Sequence, residues 1–294
     1  MTPPTQNIML TIAYEGTGYH GWQVQPNGVT VQECVETAIN RLTGESLRVL
    51  CAGRTDSGVH ALGQVASFHT RSRILAPQFR RGLQRFLPDD IVIVRSQAVA
   101  SAFHATFSAV RKRYQYLIWD GPVAPPAMRH QAYRPRRALQ VQPMQEALQD
   151  LMGTHDFRCF ETNYPNKATS IRTILDAVIR RSPPPDLWKS HIAWQPSDPR
   201  PHEDPLQPLI RFEVEANGFL YNMVRAIVGT LLRIGTGQRP VSYLGDVIRS
   251  MDRGQAGSTS PAHGLYLMRV DYPDELLDPE HTADTPTSEA DHRD

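Results

Sequence analysis

The sequence is poor in several features that would define its class. Only three cysteines occur among 294 residues, at positions 34, 51 and 159. Their number and spacing match neither a disulfide framework nor a zinc site, which favours a reducing compartment. No run of about 18 apolar residues is present, and the N-terminus has no basic segment followed by an apolar one. These absences argue against a membrane or secreted protein and predict a cytoplasmic one.

The motifs of common metal, nucleotide and nucleophile sites are also missing. The eleven histidines form no H-E-x-x-H pattern, and the chain has no G-x-x-x-x-G-K-[ST] phosphate loop. The G-x-S-x-G turn that carries a nucleophilic serine is absent as well. We therefore expect neither a metal nor a cofactor.

Charge is unevenly distributed along the chain. Residues 274–294 contain eight acidic side chains and one arginine, so residues 1–273 carry +8 of a total of +1. Only three of the cations are lysines, and guanidinium groups suit phosphates and base edges better than ammonium groups do. The basic body is compatible with a nucleic-acid partner, although a charge of this size also serves solubility. The acidic tail, which is poor in apolar residues, is predicted to be disordered.

Residues 51–68 combine a carboxylate, a guanidinium and an imidazole in one short glycine-rich stretch. Arg54, Asp56 and His60 lie within seven residues, and Gly53, Gly58 and Gly63 punctuate the segment. Glycines at such spacing mark tight turns or close backbone approach. A loop between two strands is a common place for reactive groups. The segment alone is equally consistent with an ordinary polar surface turn.

The periodicity of the remaining chain predicts an α+β protein with similar strand and helix content in its two halves. The firmest element is a helix over residues 31–43, because Thr30 and Glu33 form a capping box and Gly44 ends the apolar pattern. Strands are predicted at 8–14, 47–52, 64–70, 91–94, 113–119, 171–180, 210–216 and 265–270, and further helices at 77–86, 144–152 and 219–234. The proline-rich residues 182–208 are predicted to be a surface excursion between paired strands.

The helix predicted at 219–234 is apolar over more than half of its circumference. Asn222, Arg225, Gly229 and Arg233 share the remaining narrow strip. This strip is expected to face a cleft or another chain. Arg225 is either solvated or, if it is covered, in need of a carboxylate partner.

Residues 53–61, G-R-T-D-S-G-V-H-A, resemble the catalytic motif of the tRNA pseudouridine synthase A family. Further matches follow in the family's order at residues 14–16 with 19–23, 31–32, 103–105 with 107–109, 113–116, 153–157, 172–174, 217–221 with 223–225, and 264–267. Together they extend over residues 8–273. Members of this family convert uridine to pseudouridine at positions 38, 39 and 40 of the tRNA anticodon arm.

The resemblance implies a role for five residues. Asp56 would be the nucleophile, Arg54 would displace the target base and occupy its place in the stem, and Tyr114 would stack on the flipped uracil. Arg225 would pair with Asp56 and keep it ionised at neutral pH, and Leu265 would wall the pocket. Attack on the sugar, attack on the base and elimination to a glycal all remain open, as does the base that removes the carbon 5 proton.

The resemblance also implies the architecture: two ferredoxin-like halves, residues 7–110 and 111–273, share a central, mainly antiparallel sheet. Helices would cover its outer faces, and the catalytic cleft would lie between the halves. A homodimer in which one tRNA contacts both chains is expected, with no metal and no cofactor.

Some positions depart from the family pattern, and two other functions compete with the reaction. Thr106 stands where arginine is usual, Gln84 where asparagine is usual and Ala226 in place of a common asparagine, and residues 182–208 are longer than expected. A catalytically silent tRNA-binding or RNA-folding protein would not need the intact set of Arg54, Asp56, Tyr114 and Arg225. An aspartate-dependent nucleoside or glycoside hydrolase would generally need a second positioned carboxylate.

Overall fold

The computed structural model describes residues 5–121, 124–162, 169–183 and 207–280. The strands are β1 Gln6–Tyr14, β2 Leu50–Cys51, β3 His60–Thr70, β4 Ile91–Val99, β5 Arg111–Trp119, β6 Gly153–Asp156, β7 Ile171–Ser182, β8 Leu209–Ala216 and β9 Leu265–Asp271. The helices are α1 Val31–Thr43, α2 Gln78–Gln84, α3 Val141–Ala147, α4 Met223–Gly235, α5 Tyr243–Ser250 and α6 Asp274–Leu277.

One sheet runs through the whole fold in the order β4-β1-β3-β9-β5-β8-β7-β6, with β2 paired to β3. Its pairings are antiparallel except between β3 and β9, where His60 and Ala61 lie opposite Tyr266 and Leu267. This short parallel contact joins the N-terminal strands to the C-terminal ones. The α+β fold with a central, mainly antiparallel sheet is therefore confirmed.

Two local features agree with the sequence. The Thr30 hydroxyl accepts a hydrogen bond from the Glu33 amide, and Gly44 ends α1 in the left-handed conformation at φ +76°. In β5 the alternation places Tyr114, Tyr116 and Ile118 on one buried face. Both observations confirm the predicted helix over 31–43 and the predicted strand over 113–119.

Other boundaries differ from the prediction because contacts distant in sequence determine them. The strand predicted over 47–52 is reduced to Leu50–Cys51, since the Val49 amide donates to the Glu36 carboxylate instead of to a strand. Strand β3 begins at His60, four residues earlier than predicted, because His60 pairs with β9. The predicted helix over 219–234 begins only at Met223, since Asn222 has a φ of +61°.

Several other elements were under-predicted. Helix α3 starts three residues before the predicted 144–152 and gives way to a short 3-10 turn at Leu148–Leu151. Strand β4 continues to Val99 beyond the predicted 91–94. Helix α5 was missed, although the buried Tyr243, Leu244, Val247 and Ile248 recur at helical spacing.

The first residues of the acidic tail are ordered, which corrects the prediction of disorder from residue 274. Asp274–Leu277 forms the short helix α6, and the Ala100 amide donates to the Leu276 carbonyl at 3.2 Å. The predicted tail beyond residue 280 and most of the predicted excursion, residues 184–206, lie outside the described residues. The flanking Ser182 and Leu209 pair across β7 and β8. Within the described ranges, no helix is long and apolar enough to span a bilayer.

Candidate active site

The loop between β2 and β3 carries Asp56 and is fixed from the N-terminal side of the sheet. The Trp22 amide donates to the Thr55 carbonyl at 3.0 Å, and the Thr55 hydroxyl lies 2.7 Å from the Tyr14 hydroxyl. The Val59 amide donates back to the Asp56 carbonyl at 3.1 Å, which closes the turn. Asp56 is thus held by its neighbours in a defined turn rather than on a free surface loop.

The glycine-rich residues 16–21 pack directly against this loop. They read G-x-G-x-x-G directly after β1, so the expectation that the sequence contains no dinucleotide-type motif after a strand was wrong as a statement about spacing. In dinucleotide-binding turns this motif opens a helix, whereas here it contains a short 3-10 turn at Gly16–Gly18 and the next helix begins at Val31. A Cβ atom on Gly16 would lie 2.0 Å from the Val59 carbonyl oxygen, and one on Gly21 would lie 2.5 Å from the Thr55 carbonyl oxygen. These two glycines therefore allow close packing against the Asp56 loop.

Arg225 reaches Asp56 from α4. Its Nη1 donates to Asp56 Oδ2 at 3.1 Å and to the Asn222 side-chain oxygen at 2.8 Å, while its Nε donates to the Ser260 carbonyl at 2.7 Å. The Arg225 and Asp56 side chains are 17% and 25% exposed. The carboxylate partner that a covered Arg225 requires is therefore Asp56, as the resemblance implied.

Two opposing effects act on the pKa of Asp56. Burial raises the pKa, and the charge and hydrogen bond of Arg225 lower it, with burial the larger effect, so the pKa lies above its ordinary value. The expectation that Arg225 keeps this carboxyl group ionised covers only the smaller of the two effects on its pKa. Arg225 limits a rise that burial would otherwise make larger.

The polar strip of α4 faces the protein's own chain as well as the cleft. Arg233 donates to the Tyr243 hydroxyl at 3.0 Å. A Cβ atom on Gly229 would lie 1.8 Å from the Ser258 carbonyl oxygen, so glycine lets the segment that contains Ser260 pack closely against the helix. Of the predicted strip, Arg225 and Asn222 line the cleft. Gly229 packs against the loop whose Ser260 carbonyl orients Arg225, and Arg233 is hydrogen-bonded to Tyr243 of α5.

An aromatic and aliphatic wall completes the cleft, which encloses about 400 Å³ including the part open to solvent. Tyr114 and Leu265 are 8% and 6% exposed, and the Tyr114 ring packs edge-on against Phe219 with centroids 5.0 Å apart. Burial raises the pKa of the Tyr114 hydroxyl well above its ordinary value, so this group stays protonated. The wall can hold a flat ring in a fixed orientation.

All five residues implied by the resemblance line this one cleft: Arg54, Asp56, Tyr114, Arg225 and Leu265. Among the described residues that line it, Asp56 is the only carboxylate. The sequence placed Asn222 in the polar strip that was expected to face a cleft or another chain, and Asn222 lines the cleft. Phe219 and the Ser260 carbonyl were not predicted as parts of the site.

The Arg54 side chain, unlike those of its neighbours, is exposed and makes no bond within the described part of the chain. Within the ranges that the structure describes, its guanidinium group has neither a hydrogen-bond nor an ion-pair partner. A charged group without an intramolecular partner at the mouth of a cleft is available to a ligand. Its five donors suit phosphate oxygens and base edges.

His60 is a structural residue of β3. Its Nδ1 accepts the Gly16 amide at 3.0 Å, and its Nε2 donates to the His130 carbonyl at 2.8 Å. Burial lowers its pKa, and the ring is neutral and stacked on Tyr266 with centroids 4.6 Å apart. His60 joins the two halves of the sheet and does not line the cleft.

Two of the departures from the family pattern have structural roles away from the cleft. Gln84 donates to the Ile91 carbonyl at 2.9 Å and accepts the Ile93 amide at 3.0 Å, so it ties α2 to β4. Ala226 is fully buried in α4. Neither residue alters the set that lines the cleft.

Comparison with known proteins decides the family. A family model described as tRNA pseudouridine synthase matches residues 10–108 and 147–273. The chain belongs to the tRNA pseudouridine synthase family. Its resemblance to that family, drawn from the motifs, is thereby confirmed.

Curated relatives in this family match nearly the whole chain. The tRNA pseudouridine synthase A of Thermoanaerobacter sp. (strain X514) is 41% identical over 91% of this chain and 100% of its own length. The protein of the same description from Acetivibrio thermocellus is 43% identical over the same shares. Among solved structures, a chain of a Cbf5-Nop10-Gar1 complex aligns over 92% of this chain and 59% of its own, at 10% identity and a TM-score of 0.31, too distant to support an argument.

Proposed function

We propose that this enzyme converts uridine to pseudouridine at positions 38, 39 and 40 of the tRNA anticodon arm, without a cofactor, and that Asp56 is its nucleophile. The observation that carries the proposal is the partly buried Arg225–Asp56 pair at 3.1 Å, in a cleft walled by Tyr114 and Leu265. Family membership and the length of the match to tRNA pseudouridine synthase A relatives support the substrate class.

The reaction is an isomerisation whose atoms balance without a second substrate. The bond between uracil N1 and the sugar C1′ breaks, and a bond from uracil C5 to C1′ forms. The C5 hydrogen leaves as a proton, and N1 gains one. Attack by Asp56 on the sugar, attack on the base and elimination to a glycal all require this carboxyl group in its ionised form. Arg225 serves each route by lowering the Asp56 pKa that burial raises.

The target base must leave the helical stack before it can reach Asp56. Flipping costs a few kcal/mol, and a guanidinium group that fills the vacated position offsets part of this cost. Arg54 has an exposed side chain two residues before Asp56 and no bonding partner among the described residues, which supports this role. Tyr114 is held rigidly by β5 and by Phe219, and it is proposed to stack on the extruded uracil.

A hydrolase and a silent RNA-binding protein are the competing functions. The hydrolase is disfavoured because Asp56 is the only carboxylate among the described residues that line the cleft. The decisive experiment measures tritium release from carbon 5 of labelled uridine in unmodified tRNA, compared across positions 38, 39 and 40. Release without loss of the base from the chain supports the isomerase. Free uracil would indicate hydrolysis, and binding without release would indicate the silent protein.

We further propose that residues 7–110 and 111–273 act as two halves around the cleft, and that the enzyme is a cytoplasmic homodimer in which one tRNA contacts both chains. The short parallel contact between β3 and β9 supports the division. The exposed Val92 and Val94 on the edge strand β4 offer apolar surface for a second copy. Light scattering of the free and tRNA-bound protein would test the stoichiometry, and a monomer in both states would contradict it.

A further inference from the structure

The three carbonyl groups directly before Arg54 are each held by a side chain from another part of the chain. The carbonyls of residues 51, 52 and 53 accept, in that order, from Thr106 Oγ1 at 2.6 Å, Lys112 Nζ at 2.6 Å and Gln64 Nε2 at 2.7 Å. The register pairing of β2 with β3 ends at residue 51, and beyond it the Ala52 amide still donates to the Val65 carbonyl of β3 at 2.8 Å. The three carbonyl groups themselves accept from side chains.

The three donors come from separate elements around the cleft. Gln64 lies in β3, Thr106 lies in the connection between β4 and β5, and Lys112 lies in β5 two residues before Tyr114. Residues two apart on a strand share a face, so Lys112 is next to Tyr114 on the cleft side. A Cβ atom on Gly53 would lie 3.1 Å from Lys112 Nζ, and glycine leaves room for the ammonium group there.

Arg54 therefore sits between two anchored stretches of backbone. Residues 51–53 are held by the three side chains, and Thr55 is held by Tyr14 and Trp22. Only the Arg54 side chain extends outward, without a partner in the described part of the chain. The fixed backbone determines the point from which the Arg54 side chain extends, and the guanidinium group remains free to contact RNA.

We propose that Thr106 is a positioning residue that, together with Lys112, fixes the backbone of Arg54 for its action on the RNA. The proposal rests on the proposed function. The Thr106 side chain is exposed, and its hydroxyl group donates to the Cys51 carbonyl at 2.6 Å. Small displacements of a group that acts on substrate reduce turnover strongly, so one hydrogen bond to this segment has a measurable effect.

The first test compares Thr106→Val, which keeps the shape and removes the hydroxyl, with Thr106→Ser, which keeps the hydroxyl. For Thr106→Val we expect kcat in the tritium-release assay to fall roughly three- to tenfold, as one lost hydrogen bond predicts. The Kd for tRNA and the Tm should stay at their wild-type values, because Thr106 is exposed. Thr106→Ser should restore most of kcat. Thr154→Val removes another exposed, hydrogen-bonded hydroxyl far along the sheet and should have no effect.

The second test separates positioning of Arg54 from a general structural role. If Thr106 acts through Arg54, Thr106→Val should lower kcat much less in an Arg54→Ala background than in the wild type. Equal fold losses in the two backgrounds would overturn the proposal, as would an unchanged kcat for Thr106→Val or a loss confined to tRNA affinity. If the wild-type enzyme released no tritium, the proposed function itself would be overturned. If the wild type is active but Thr106→Val lowers kcat by the same factor in both backgrounds, only the role of Thr106 is overturned.

Discussion

Arg225 Nη1 lies 3.1 Å from Asp56 Oδ2, and the same guanidinium group donates through Nε to the Ser260 carbonyl at 2.7 Å. One edge of the guanidinium group is thus held by the Ser260 carbonyl, and another edge donates to the Asp56 carboxylate. A guanidinium group oriented in this way before substrate binds has no reorganisation to undergo during the reaction. The groups that surround the Asp56 carboxylate are therefore in place before substrate binds.

The Asp56→Asn variant should lose pseudouridine formation and keep tRNA binding. Asparagine has nearly the same shape but cannot supply the ionised oxygen that each route requires, so turnover should fall by at least about 10³-fold. Tritium release and tRNA binding are the measurements. Asp246→Asn, which removes an exposed carboxylate paired with Arg249 on α5, is the matched control and should remain active. Substantial turnover by Asp56→Asn would remove Asp56 from its role.

Activity should decline on the acid side as Asp56 gains a proton. Burial places its pKa above the ordinary value, so the acid limb of kcat/KM should lie above about pH 4. Arg225→Gln removes the effect that lowers this pKa, and the limb should therefore move to higher pH. Arg225→Lys keeps the charge and should shift it less. A limb that stays in place or moves to lower pH in Arg225→Gln would contradict the pairing.

Tyr114 should act through its ring. Tyr114→Phe retains the face that stacks and the edge contact with Phe219, so tRNA affinity should be close to that of the wild type. Tyr114→Ala should weaken productive binding by roughly 10- to 100-fold, the range for one lost base-stacking contact. Measured kcat and KM for the two variants separate these cases. A total loss of uracil binding in Tyr114→Phe would show that stacking is not the main role.

Gly229→Ala should destabilise the fold and disturb the site together. The new Cβ atom would lie 1.8 Å from the Ser258 carbonyl oxygen, which forces the loop away from α4. We expect a loss of about 1–3 kcal/mol in the free energy of unfolding, the usual range for overpacking. kcat should fall as well, because Ser260 in that loop orients Arg225. Denaturant unfolding measures the first effect and tritium release the second.

The control for Gly229→Ala is Gly18→Ala. No heavy atom lies within 4 Å of the Cβ position on Gly18, and its φ is not in the left-handed region. This variant should therefore unfold at the wild-type denaturant concentration. If Gly229→Ala behaves in the same way, the close packing of α4 against residues 257–260 is not needed for stability.

Where neighbouring residues contain all the information, the sequence was sufficient. The capping box at Thr30 and Glu33 predicted α1 to the residue, because a helix end is satisfied by side chains within one turn. The alternation of Tyr114, Tyr116 and Ile118 predicted β5, because a strand buried on one face repeats every two residues. The motif at 53–61 and its companions predicted the family, which the comparison confirmed.

Where distant segments meet, only the tertiary structure decided the outcome. Asp56 and Arg225 are 169 positions apart, and no periodicity predicts the distance between them. The sequence placed Arg225 in a polar strip but could not show that Gly229 admits the loop whose Ser260 carbonyl aims it. Likewise, the sequence shows Thr106 only as a departure from the expected motif. The hydrogen bond from its hydroxyl group to the Cys51 carbonyl is seen only in the fold. Local chemistry determines which elements form, whereas long-range packing determines which side chains share one cleft.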